Sequence, residues 1–375
     1  MNKTKVCVMT SVHPPFDVRI FYKECRTLAH AGYDVTLVVP HERDEVLDGI
    51  QIKAVSKPIN RKERFLKTRR NVFNTALEIN ADIYHLHDPE LLPFASRLKR
   101  KGSIVVFDMH ENLPRAVLSK TWIRAEWRSI IAKAVRCGEK ILLKNIPVIY
   151  AESSYKNDYP WISCFQDVLN MPDITAISHI DKSQKNDMFT VGYVGGVSEV
   201  RGSLMMLAAI KKLQAIGYSV RFDCIGPVSN KHLHQLESFI KDNKLENVNL
   251  HGYIIPKQAW QLIARSHVGL AVLKPIPNYI ESYPTKMFEY MALGIPVITS
   301  SFPLYRRVVE DNKCGFCIDH DQPEQLAEAI EWIINNQEEA QLMGINGLNA
   351  ARTKYNWDIE GEKLLDFYKK LSGRM

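Results

Sequence analysis

The chain has no apolar run approaching the roughly 20 residues that a membrane-spanning helix requires, so it is not expected to cross a bilayer. Its N-terminal MNKTKVCVMTS also lacks the long apolar core and small-residue cleavage site of a secretory signal, and reads instead as a first strand. Cysteine is sparse and odd in number, 7 scattered over 375 residues, which argues against a disulfide framework and for a reducing, cytosolic compartment. The lone C-x-x-C, Cys314 to Cys317, lies inside a strand-like run and reads as buried hydrophobes rather than a redox or zinc pair. Repeats of short period, low-complexity tracts and recognised nucleic-acid motifs are missing too, and a pI near 8.9 is too modest to argue for a nucleic-acid partner.

What is there is a globular composition, 46% hydrophobic and 24% charged, in a chain long enough for two domains. The charge of +7 is uneven: residues 1–170 hold 27 Lys or Arg against 19 Asp or Glu, and the remainder is near neutral. Such a basic half suits an ordinary solvated surface or an anionic partner, either a membrane face or a phosphate-bearing substrate. Two stretches, RKERFLKTRR (61–70) and KTWIRAEWRSIIAKAVRCGEKILLK (120–144), mix basic with aromatic and aliphatic residues and fit either an anionic membrane surface or a core helix with a basic outer face.

Short apolar runs alternate with helical patterns, as parallel α/β architecture requires. Strands are expected at 5–11, 34–40, 50–55, 82–87, 103–110 and 147–153. A polar stretch over 171–187 reads as a linker, after which strands recur at 189–196, 220–227, 247–254, 267–275, 295–300 and 315–320. A helical tail from Pro323 to about Leu371 follows. This predicts two doubly wound domains, 1–170 and 188–356, with chemistry just beyond the carboxyl ends of their strands, across a shared cleft.

The densest motif is ESYPTKMFEYMALGIPVITS (281–300), in which Glu281 and Glu289 flank the start of a helix carrying Thr285 and Lys286. A helix N-terminus with a lysine attracts a phosphate, and carboxylates on either side suit sugar and ribose hydroxyls. VGYVGGVSEVRG (191–202) ends a strand in Gly195 and Gly196, which allow close backbone approach, and delivers Arg201, whose guanidinium can grip a diphosphate. Tyr253, at the end of the strand 247–254, is a further donor-side candidate. In the first domain SVHPPFDVRIF, HLHDPE and DMHEN place His13, Asp17, Arg19, His87, Asp88, His110 and Glu111 at strand ends. His85-x-His87 is expected to alternate faces of its strand, so that at most one of the pair reaches the site and no metal is held.

Glu281 and Glu289 with seven residues between them, followed by YMALGIPVI, resemble the E-x7-E signature of family 4 (group 1) retaining glycosyltransferases of the GT-B fold. HPPFDVRIF, FDMHEN, the GG…RG loop and the terminal Tyr355-Asn356-Trp357 extend the resemblance over nearly the whole chain. The resemblance implies two Rossmann-like domains, the last helix (357–375) crossing back to the first. It further implies a nucleoside-diphosphate sugar in the second domain, a saccharide or lipid-diphosphate-linked acceptor at the first, no metal or other cofactor, and a role in surface polysaccharide synthesis. By position, Glu281 would bind donor-sugar hydroxyls, Glu289 the ribose and Arg201 the diphosphate, with Thr285 and Lys286 assisting; His110 would face the reacting sugar.

Two departures stand out. Gly196 occupies the place of a frequent arginine, leaving Lys286 to supply the second positive charge, and His13-Pro14-Pro15-Phe16-Asp17 replaces a glycine-rich loop. The alternatives are a nucleotide-sugar epimerase of the same architecture and a catalytically silent binding subunit.

Overall fold

The computed structural model describes residues 3–99, 102–120, 122–182 and 184–373. Thr121, in the basic aromatic stretch, Ser183, in the expected linker, and residues 1, 2, 100, 101, 374 and 375 lie outside the described residues. The chain divides into two compact units, residues 1–170 with 357–375, and residues 171–356. Residues 171–187 group with the second unit and carry a helical turn, Ile174–Ser178.

The first unit is built on an eight-stranded sheet in the order β3-β4-β2-β1-β5-β6-β7-β8. Its strands are β1 (Lys5–Met9), β2 (Asp34–Pro40), β3 (Glu45–Leu47), β4 (Ile50–Val55), β5 (Ile83–Leu86), β6 (Ile104–Met109), β7 (Val148–Tyr150) and β8 (Phe165–Asp167). Every pairing is parallel except the β3–β4 hairpin. Alternation along β1 sends Val6 and Val8 to one face, Cys7 and Met9 to the other, and each face meets its own core. The helix Trp357–Leu371 covers the Val6–Val8 face with Trp357, Leu364, Phe367 and Tyr368, spaced along one side of the helix. Trp357 Nε1 donates to Thr27 Oγ1 at 2.9 Å, and Glu360 accepts from the Leu169 amide at 2.8 Å, so the last helix is pinned at its first turn.

The second unit holds a six-stranded, all-parallel sheet in the order β11-β10-β9-β12-β13-β14. Here β9 is Phe189–Val194, β10 Val220–Ile225, β11 Val248–Gly252, β12 Val268–Ala271, β13 Val297–Ser300 and β14 Gly315–Ile318. In each sheet the strand order reverses beside the first strand, between β1 and β5 and between β9 and β12, and such switch points are where open α/β sheets bind ligands. Among the described residues no helix is long and apolar enough to cross a membrane.

Candidate functional site

In the second unit the carboxyl end of β9 runs into Gly195 and Gly196. Gly195 takes φ +130°, open to glycine and strained for other residues, and a Cβ there would come within 2.9 Å of Lys286 Nζ and 3.7 Å of the Arg201 guanidinium. A Cβ on Gly196 would meet the same guanidinium at 3.4 Å. The glycine pair is thus bare backbone with two cationic side chains laid against it.

Lys286 sits in the first turn of the helix Thr285–Ala292, whose N-terminus no side chain caps, although the Met287 amide donates to the Pro284 carbonyl at 3.0 Å. The side chain is buried, and Nζ has no hydrogen-bond partner; it hangs 3.8 Å from the centre of the Tyr193 ring. Burial, and then repulsion from Arg201, brings its pKa down to about 7, with Glu289 pulling weakly the other way. Arg201 donates from Nε to the Tyr279 hydroxyl at 3.2 Å, and Tyr193 donates its own hydroxyl to the Gly196 carbonyl at 2.7 Å, which holds the loop in shape.

Tyr290 explains why this helix lies beside β9. Its ring packs on Gly269, where a Cβ would fall 2.5 Å from ring carbons, its hydroxyl donates to the Leu270 carbonyl at 3.1 Å, and the Val194 amide donates to that hydroxyl at 2.9 Å. One phenol therefore ties the helix to both strands of the switch point. Glu289 is half-buried one residue before it, and Glu281 is exposed after the short helix Pro277–Ile280. Tyr253 lies 70% exposed beyond β11, the edge strand, with β10 between it and β9. Tyr279 and Tyr290 were missed as site-builders by sequence reasoning; the tyrosine following Glu289 was visible, but its partners come from β9 and β12.

In the first unit His13, His87, Asp88 and His110 line one cavity of about 570 Å³, whose wall includes Phe65 and Leu113. Asp88 is a buried clamp at the switch point: one carboxylate oxygen accepts from Thr10 Oγ1 at 2.9 Å and the Ser11 amide at 2.6 Å, tying the end of β5 to that of β1. His87 Nδ1 and His110 Nε2 share a hydrogen bond of 2.9 Å. Burial lowers His110 to about 4, so the imidazole is neutral at physiological pH. Burial also opposes charge on His13, but the Asp17 carboxylate at 3.4 Å and the nearby Asp88 outweigh it and raise its pKa. Asp17 caps the helical segment Val18–Cys25, accepting from the Arg19 and Ile20 amides at 2.8 and 3.0 Å.

Arg19 is buried, its Nε and a terminal nitrogen bonded to Asp108 at 3.0 and 2.9 Å, and it also lies 2.9 Å from Glu24. One expectation is overturned here. Residues two apart on a strand share a face, and the rings of His85 and His87 lie 4.5 Å from each other on the same side of β5. With Glu24 and Asp108 they bring donor atoms within 4.8 Å of one another, all buried. Two of the set, Asp108 and Glu24, pair with the Arg19 guanidinium: it keeps Asp108 ionised, while burial and the Asp108 charge push Glu24 well up toward its neutral form. The cluster therefore reads as a neutralised ion-pair network behind the cavity. The Cys314–Cys317 pair is two free thiols, the first buried and the second half-buried.

The profile described as "Glycosyl transferases group 1" matches residues 176–350, and that described as "Glycosyltransferase Family 4" matches residues 18–155. The chain belongs to the group 1, family 4 glycosyltransferases. Spore coat protein SA of Bacillus subtilis is 28% identical over 188 residues, 48% of this chain and 48% of that protein. The capsular polysaccharide biosynthesis glycosyltransferase CapM of Staphylococcus aureus is 24% identical over 183 residues, 49% and 46% of the two chains. Matches to these curated relatives thus span about half of their length. Among solved structures, sucrose-phosphate synthase of Thermosynechococcus elongatus superposes with a TM-score of 0.76 over 100% of both chains at 18% identity. Anabaena Alr3699/HepE, crystallised with UDP and glucose, gives 0.73 over 98% of this group 1 chain and 100% of its own at 14% identity. Two parallel-sheet α/β units and these neighbours define the fold of this glycosyltransferase-family chain as GT-B.

Proposed function

We propose that the protein transfers a glycosyl group, with retention at the anomeric carbon and without a metal, from a nucleoside-diphosphate sugar to a hydroxyl of a saccharide or lipid-diphosphate-linked saccharide. The observation that carries this is Lys286: a buried amine with no hydrogen-bond partner or counter-charge bonded to it, beside bare glycine backbone, a guanidinium and a helix end that no side chain caps. Burying an unpaired cation is costly, and a diphosphate would supply the missing counter-charge.

In the reaction the bond from the anomeric carbon to the diphosphate oxygen breaks, the acceptor oxygen bonds that carbon from the same face, and the acceptor's proton passes to the departing phosphate. Charge grows on the leaving diphosphate, where Arg201, Lys286 and the amides around Thr285 stabilise it, a contribution of about 3–4 kcal/mol per donor where such groups have been removed. Glu281 and Glu289 take the sugar and ribose hydroxyls in the second unit, and in the first unit neutral His110 offers a hydrogen-bonding group to the acceptor. The first unit's cavity, with His13, His87 and Asp88, receives the acceptor.

The relationship to CapM and the basic first unit support a place in surface polysaccharide synthesis at the cytoplasmic face of a membrane. The deciding experiment is a thermal-shift screen against UDP, GDP, ADP and CMP and their sugars. UDP comes first because the Anabaena neighbour was crystallised with it. A selective rise that Lys286→Ala and Glu289→Ala abolish supports the reading; no shift with any nucleotide overturns it. An epimer formed from the donor alone, with no acceptor present, would mark an isomerase instead.

A further inference from the structure

The helix Ala125–Leu142 buries only Ala132 and Glu139, the latter accepting a hydrogen bond of 2.9 Å from the Tyr159 hydroxyl. On the opposite side Trp127, Ile130, Ala134, Cys137 and Ile141 recur at steps of three and four, the spacing of one helix face. All of them are exposed, Trp127 at 54%, Ile130 at 58% and Ile141 at 75%, and Trp122 stands out at 71% just before the helix. The helix is therefore apolar on the face the fold leaves uncovered.

The charges beside that stripe are predominantly positive. Lys133 and Lys140 follow one edge, and Lys120, Arg124 and Lys144 are exposed near its ends; Glu126 is the single exposed acid between 122 and 144. A second copy of this helix would set one net-positive face against another, whereas an anionic lipid surface accepts both the apolar stripe and the excess positive charge. Tryptophans settle at headgroup level, the aliphatic side chains enter the acyl boundary, and lysine stems lie along the apolar stripe with their ammonium groups in the headgroups.

We infer that the Trp122–Ile141 face is a docking surface for an anionic membrane. The preceding helix, Leu113–Ser119, packs on it and begins at the wall of the 570 Å³ cavity, with Leu118 43% exposed; the same cavity is lined by Phe65, also 43% exposed. An acceptor whose lipid stays in the bilayer would then present its saccharide at that cavity. This last step rests on the glycosyl-transfer reading, while the docking itself does not.

The test is co-sedimentation of the full chain with phosphatidylglycerol–phosphatidylcholine vesicles and with phosphatidylcholine vesicles alone. It compares wild type with Trp127→Ser/Ile130→Ser and Lys133→Glu/Lys140→Glu, all exposed positions whose replacement leaves the core intact. Binding to the anionic vesicles is expected, weaker by about tenfold or more in each variant, on neutral lipid and at high salt. Equal binding by the variants, or no binding by wild type at low salt, overturns the inference. So does a dimer in light scattering that Ile130→Ser splits, which would make a second copy the occupant. Nucleotide-induced thermal shifts measured on the same samples separate the two proposals. Vesicle binding without a shift leaves docking and removes glycosyl transfer; a shift without vesicle binding does the reverse.

Discussion

Lys286 carries a cost in the ligand-free protein, and that cost has a pH signature. Its folded pKa of about 7 lies below the ordinary lysine value, so the unfolded chain binds more protons between about pH 7 and pH 10. The penalty is full below pH 7 and fades as pH rises through that window. Lys286→Met is therefore expected to raise the ligand-free melting temperature by a few degrees, about 1–2 kcal/mol, at pH 6.5 or so. The gain should shrink toward about pH 10 in a series of thermal melts, and the nucleotide-induced shift should be lost at every pH. A diphosphate beside Nζ reverses the shift, so binding near pH 8 should take up a proton, visible as a calorimetric heat that varies with buffer ionisation. Lys286 and Arg201 were legible as residue types at strand and helix ends. Burial of Nζ was not, because it depends on Tyr193 and the glycine pair from another strand.

At the scale of elements, the helix Thr285–Ala292 is held by one phenol. Tyr290→Phe keeps the ring on Gly269 but strands the Val194 amide, which should cost about 1–3 kcal/mol in urea unfolding and weaken nucleotide binding with it. Gly195→Ala should leave expression tolerable and abolish the nucleotide-induced shift, since the new methyl meets Lys286 Nζ. Every strand expected from alternation exists, because parallel strands buried on both faces leave long apolar runs. Two were missed. Glu45–Leu47 is half of a hairpin whose turn, Asp48-Gly49, takes positive φ at both residues, a strong dipeptide signal that went unread. Phe165–Asp167 is three residues long, with no period to detect. The face assignment of His85 and His87 failed for a plainer reason: a period of two puts them together, and only the structure's ring distance exposed the slip.

At the scale of the whole molecule, the first unit depends on its last helix. Trp357→Ala removes a buried indole and its bond to Thr27, and should destabilise by about 3–5 kcal/mol, with loss of the first unit's cooperative melting while the second unit still responds to nucleotide. The uncovered face of Val6, Val8, Ile20, Phe21 and Leu28 is what that helix conceals. The order of synthesis adds a consequence. Residues 171–356 form one unbroken unit inserted into another, so they can fold as they emerge, whereas the unit begun first stays unfinished until residues 357–371 arrive. Proteolysis of stalled nascent chains should find the inserted unit protected first. The earliest part of this chain to be made is the last to be safe from aggregation.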